Sequence, residues 1–130
     1  MDHETRGVRP ARIGQIHLSV QDLDRARAFY RDVLGLAFLF DAPPGMAFFQ
    51  CGDVRLMLGR PESPDEAPRT SLLYYSVEDI AEAHRTLDDH GAHVEHGPHV
   101  VHRTPDMELW MGFYRDSEGN VFATMEERAS

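Results

Sequence analysis

One pattern is written twice in this chain, and that limits the folds open to it. IHLSVQDLDRARAFYRDVLG begins at Ile16, and LYYSVEDIAEAHRTLDDHG begins at Leu73. In this frame Ser19 matches Ser76, Val20 matches Val77, Asp22 matches Asp79 and Ala26 matches Ala83. Each copy reads as a strand, an acidic helix start suited to the positive end of the dipole, an amphipathic helix and a glycine stop. Leu23, Ala26, Phe29, Tyr30 and Val33 form the apolar stripe of the first helix, and Gly35 ends it. Ile80, Ala83 and Leu87 form that of the second, and Gly91 ends it.

The second halves correspond as well. MAFFQCGDVRLML from Met46 parallels MGFYRDSEGNVFATM from Met111, each an apolar strand, a polar turn and another apolar strand. Each copy is therefore a βαβββ module, and the expected class is α+β, with the modules forming a curved mixed sheet around a cleft. The boundaries read as a leader over 1–11, a first module over 12–60, an exposed Pro-rich linker over 61–69 and a second module over 70–127.

Composition removes several function classes. A net charge of −9 argues against a nucleic-acid partner, which calls for clustered Lys and Arg. No apolar run approaches the roughly 20 residues of a membrane span, and MDHETRGVRPAR lacks the apolar region of a signal peptide. The single Cys51 cannot form an internal disulfide. A cytoplasmic protein with a small-molecule partner is expected.

DLDRARAFYRDVLGL with IHLSV before it, and FYRDSEGNVF near the end, resemble the vicinal oxygen chelate superfamily. That family includes glyoxalase I, fosfomycin and bleomycin resistance proteins, methylmalonyl-CoA epimerase and extradiol dioxygenases. The resemblance covers about residues 12 to 127 and implies a single glyoxalase-like domain, commonly in a homodimer. It also implies four metal-ligand positions, on the first and last strand of each module. Counting back from Val20 and Val77 puts the first-strand positions at Gln15 and Leu72, and the last-strand positions fall on Leu56 and Ala123. Glutamine serves in some glyoxalases, but Leu56, Leu72 and Ala123 have no donor atom for a cation. No cofactor is expected at the usual positions; a divalent metal would need an atypical site that includes His17.

Strand alternation maps the expected cleft. Gln15, His17 and Ser19 point inward, with Ile16, Leu18 and Val20 toward the helices. The same parity turns Leu72, Tyr74 and Ser76 inward, joined by Phe48, Leu56, Phe113, Val121 and Ala123. Gln15, Tyr74, Phe48 and Phe113 are the expected substrate contacts in a mainly apolar pocket. His17 reads either as a general base or as a half-buried histidine satisfied by a neighbour. Cys51, with no visible base beside it, reads as structural. Trp110 falls opposite Phe113 and is expected under a helix.

HGAHVEHGPHVVH holds five of the eight histidines, at every third position from His90 to His102. His90 ends the second helix, while His93 and His96 precede a Gly97-Pro98 break and read as surface residues. His99 and His102 would occupy a strand and point to opposite faces, so one at most enters the cleft. A two-residue Pro105-Asp106 turn would pair Thr104 with Met107, Arg103 with Glu108 and His102 with Leu109, favouring His102; a bulge would bring in His99.

Three functions follow. One is an enzyme of lyase, isomerase or oxygenase type acting on a small oxygenated substrate through His17 and His102 or His99. Another is a metal-free, bleomycin-resistance-like protein that sequesters a cationic drug. The last is a dimerising module with a vestigial cleft.

Overall fold

A computed structural model describes residues 7–61, 63 and 68–129. Residues 1–6 of the expected leader, and linker positions 62 and 64–67, lie outside the described residues. The first module comprises β1 (Gln15–Ser19), α1 (Leu23–Ala28), β2 (Ala37–Ala42), β3 (Met46–Cys51) and β4 (Val54–Gly59). The second comprises β5 (Tyr74–Ser76), α2 (Ile80–Asp89), β6 (His93–Arg103), β7 (Met107–Arg115) and β8 (Val121–Ala129). Each module folds one four-stranded mixed sheet, in the orders β1-β4-β3-β2 and β5-β8-β7-β6. The first strand of each module runs parallel to the last, and the other pairs are antiparallel. The chain is thus α+β, two βαβββ modules, as the repeat requires.

Both helices start on the matched aspartates. Asp22 Oδ1 accepts from Arg25 N at 3.0 Å, and Asp79 Oδ1 accepts from Ala81 N and Glu82 N at 3.1 Å. Gly35 and Gly91 follow with φ of 76°, the left-handed conformation that a Cβ disfavours. Glu126 of β8 accepts from Ile80 N at 2.8 Å at the second helix start.

The first helix does not stay α-helical to its end. Phe29–Val33 widens into a π turn, with Leu34 N donating to Phe29 O at 3.0 Å. Here Phe29 meets Phe122 of the second module edge-on at 6.0 Å, and Tyr30 meets Phe49 of the first at 6.2 Å. The helix-facing side of the first sheet buries Leu18, Phe49, Leu56 and Leu58 against this segment. Leu87, Tyr114 and Phe122 form the second core, against which Phe29, Val33 and Leu34 also pack.

Polar contacts complete the junction. Tyr30 OH donates to Asp116 Oδ2 at 2.6 Å, while Glu118 accepts from Gln21 N at 2.6 Å and Asp22 N at 3.3 Å. Burial first, then the Asp116 carboxylate, pushes the Tyr30 phenol well above its ordinary range. The far end of the linker is pinned too, since Ser19 N donates to Arg69 O and Arg69 N to Ser19 Oγ, each at 2.7 Å.

Two expectations change here. Gly97-Pro98 does not break the chain into separate elements, because β6 runs through it as a bulged strand from His93 to Arg103. Trp110 shares the helix-facing parity of Gly112 and Tyr114, but Arg128 covers it, its Cζ 4.5 Å from the ring centroid. Among the described residues no helix is long and apolar enough to cross a membrane.

Tyr30→Phe deletes the hydroxyl that ties Asp116 to the first module. Urea denaturation is expected to show a loss of about 1.5–3 kcal/mol, the scale of a hydrogen bond to a charged group. A change indistinguishable from zero would mean that the junction rests on apolar packing alone.

Candidate functional site

With the helix-facing sides committed to the cores, the opposite side of each sheet is what remains for a ligand. Register defines it, because residues paired across a ladder share a face. On the first sheet one row is His17, Met57, Phe48 and Phe40. Flanking rows are Gln15, Arg55, Gln50 and Ala37, then Ser19, Gly59, Met46 and Ala42. Gln15 and His17 therefore lie on the ligand side, with Leu18 and Val20 in the core.

Leu56 does not lie there. It pairs with Ile16, is 2% exposed and belongs to the core, so the inward positions of β4 are Arg55 and Met57. The cause is turn length. Only Gly52 and Asp53 separate β3 from β4, whereas residues 116–120 separate β7 from β8. The two turns differ by an odd number of residues, so a count carried from one copy to the other returns on the wrong face.

His17 lines a pocket of about 560 Å³ with Met46, Met57 and Gly59 on the sheet, Pro44 and Gly45 in the β2–β3 turn, and Arg60, Pro61 and Arg69 beyond β4. Its Nε2 lies 3.5 Å from Ser19 Oγ, whose lone pairs already take the Arg69 amide. The imidazole rests on Gly59, where an added Cβ would stand 3.0 Å from Cε1. Close approach to the ring is thus what Gly59 permits. A half-buried imidazole between apolar walls and two guanidinium-bearing residues can bind an anionic oxygen and move a proton beside it. Arg60, Arg69 and Met57 were not legible as site residues. The available signal was the pair of arginines bracketing the acidic PESPDEAP stretch.

The remaining expected contacts are distributed differently. Phe48 is buried beneath Phe40, the rings stacked at 4.7 Å, with the Arg55 guanidinium 5.9 Å from the Phe48 centroid. Gln15 is exposed, its Nε2 at 4.0 Å from Met57 Sδ. On the second sheet Tyr74, Ala123, Phe113 and His96 form one row, with Tyr74 edge-on to Phe113 at 6.2 Å. Ala123 is fully buried, and Leu72 precedes β5 and is exposed.

His99 and His102 are not on opposite faces. Their partners are Met111 and Leu109, which share a face of β7, because the register slips by one residue between Val100 and His102. The Pro105-Asp106 turn pairs the residues as expected, and the slip at Val101 adds His99 without removing His102. Half-buried His99 packs 6.3 Å from Phe113, while His102 is exposed. The His17 pocket is lined by the first module and the linker alone, so it does not join His17 to either.

A model of the Glyoxalase/Bleomycin resistance protein/Dioxygenase superfamily matches residues 12–122. The chain belongs to this superfamily. Among solved structures it is similar to lactoylglutathione lyase from Agrobacterium tumefaciens, 28% identical with a TM-score of 0.70, covering 91% of this chain and 95% of that one. TioX from Micromonospora sp. ML1 shares the fold at 19% identity and a TM-score of 0.72, over 88% and 98% of the two chains. A curated relative, the uncharacterized protein YqjC of Bacillus subtilis (strain 168), is 41% identical over 59 residues. The match spans 42% of this chain and 42% of that relative's length.

The superfamily's usual ion does not suit the residues present. Gln15 supplies one amide, β4 offers Arg55 and Met57 instead of a carboxylate, and Leu72 and Ala123 supply nothing. Among the described residues no group of three or more His, Cys, Asp and Glu side chains converges on one point.

Gly59→Ala offers a direct test of the His17 contact. The new methyl group is expected to displace the imidazole and shift its NMR signals, with a stability loss under about 2 kcal/mol. Unchanged His17 resonances would show that the ring does not rest there.

Proposed function

We propose that this glyoxalase-superfamily chain acts as an enzyme on a small, oxygen-rich anionic substrate bound against His17. The reading is carried by one observation: an imidazole lining a pocket of about 560 Å³ that Arg60 and Arg69 also line, in a chain of net charge −9. Positive charge concentrated at one pocket of an acidic molecule suits a carboxylate or phosphate better than a cation. Arg60 and Arg69 would hold the anionic group, and His17 would take a proton from the carbon or hydroxyl beside it and return it, as in isomerase- or lyase-type chemistry. Ser19 would orient the imidazole. An oxygenase would need a metal for which the usual positions supply no ligand set, and no step is assigned through one.

Sequestration of a cationic drug is the competing reading, supported by the exposed aromatic rings of Tyr74 and Phe40, 46% and 45% exposed. These rings, with exposed Leu72, also support a homodimer in which a second copy covers the open sheet faces. The lone cysteine suits a reducing compartment, consistent with the cytoplasm.

A thermal-shift screen of small hydroxy- and oxo-carboxylates, their phosphate esters and bleomycin separates the readings. Members of the anionic set are expected to raise Tm, and Arg60→Ala and His17→Ala to abolish the shift. Stabilisation by bleomycin with no response to any anion would overturn the proposal. Once a substrate is found, His17→Ala should lower kcat by roughly 10²–10⁴-fold, the usual contribution of a positioned acid or base. Light scattering is expected to give twice the chain mass of 14.8 kDa; a monomer at all concentrations would exclude the dimer.

A further inference from the structure

The helix-facing side of the molecule is not filled everywhere. A crevice of about 470 Å³ opens between α2 and the end of the π turn, and it shares no residue with the His17 pocket. That is room for a small organic molecule. Val33, Leu34 and Leu36 line it from the first module, and Ala83 and Leu87 line it from α2.

Two buried hydroxyls stand at this crevice. Tyr75 and Thr124 both line it and are register partners on adjoining strands, so their side chains share a face. Thr124 is 2% exposed, and neither Tyr75 Oη nor Thr124 Oγ1 has a hydrogen-bond partner among the described residues. A buried hydroxyl left unpaired is destabilising, and beside a cavity a polar group entering the cavity can pair with it. Burial, ahead of nearby Cys51 and Asp116, pushes the Tyr75 phenol above its ordinary range. It therefore stays neutral and can donate as well as accept.

The charge at the crevice has one sign. Glu78, Asp79 and Glu82 line it and are exposed, so the carboxylates lie toward its mouth, while no Lys, Arg or His among the described residues lines it. Asp79 is engaged by the Ala81 and Glu82 amides and Glu82 by Arg85, whereas Glu78 carries no cation among the described residues. The positive end of α2 does not oppose a cation here, because Asp79 and Glu126 already take its first amides.

We propose that this crevice is a second ligand site, for a primary arylalkylamine whose ring carries a hydroxyl or N–H group. The ammonium meets Glu78, the hydrocarbon body packs on Leu34, Leu36, Ala83 and Leu87, and the polar group of the ring pairs with Tyr75 and Thr124. A carboxylate in place of the ammonium is repelled by the three acidic residues. The site lies on the helix-facing side, away from the sheet face that carries Gln15 and His17, and it does not depend on the function assigned to His17.

The test titrates the full-length chain with tyramine, phenethylamine and 3-(4-hydroxyphenyl)propionate by calorimetry, and maps tyramine by amide NMR. One equivalent of tyramine is expected, with phenethylamine roughly fivefold weaker, the scale of one neutral hydrogen bond, and the propionate without effect. Amide shifts should cluster in residues 33–36 and 75–87 and leave His17 unmoved. Glu78→Gln should weaken tyramine roughly two- to fivefold, and Ala83→Phe, which fills the crevice, should abolish binding. Tyr75→Phe should reduce the preference for tyramine over phenethylamine, with Tm unchanged or raised because its hydroxyl has no partner to lose. If Ala83→Phe disturbs the fold, exposed Glu78 and the Tyr75→Phe preference carry the test. Absence of amine binding, equal binding of the propionate, or tyramine affinity unaltered in both Glu78→Gln and Tyr75→Phe would overturn the proposal.

Discussion

Everything distinctive about this molecule depends on one segment serving two cores. The first helix and its π turn place Tyr30 against Phe49 of their own module and Phe29 against Phe122 of the other. Asp116 and Glu118 then take the Tyr30 hydroxyl and two backbone amides near the helix start. The Tyr30 bond to Asp116 is the part-buried one of these, so breaking it leaves a partly desolvated carboxylate short of a partner. Because the helix-facing sides are consumed in this junction, the ligand-side faces of both sheets are left to do something else.

Those two faces carry different chemistry. The first presents one imidazole in a pocket that Met46, Met57, Arg60 and Arg69 also line. The second presents a line of imidazoles beside Met111, Phe113 and Tyr74, with His96 and His99 sharing the Gly97 carbonyl at its centre. In a chain of net charge −9 the long-range field draws cations to the surface generally. Arg60 and Arg69 line the His17 pocket within that field.

Much of the fold was legible because the repeat encodes it in local signals. Asp22 and Asp79 cap helices, Gly35 and Gly91 end them, and the alternation from Gln15 to Val20 separates core from ligand side. Errors arose where parity had to be carried across an irregular connection. Counting across the repeat puts Leu56 on the wrong face because the Gly52-Asp53 turn and the 116–120 turn differ by an odd number of residues. Alternation puts His99 and His102 on opposite faces because it assumes no bulge, whereas β6 has a slip in each histidine interval. A bulge reflects how a strand matches its partner, a property of two segments together.

The sequence by itself determined the α+β class, the duplicated βαβββ module, the helix limits and the inward position of His17, since each follows from the spacing of a few neighbouring residues. Tertiary structure alone decided that Met57 replaces Leu56 on the ligand side, that Arg60 and Arg69 line one pocket with His17, and that His96 and His99 share one carbonyl. Those outcomes depend on inter-strand register and on residues that meet only after the sheets form, and short-range periodicity carries neither.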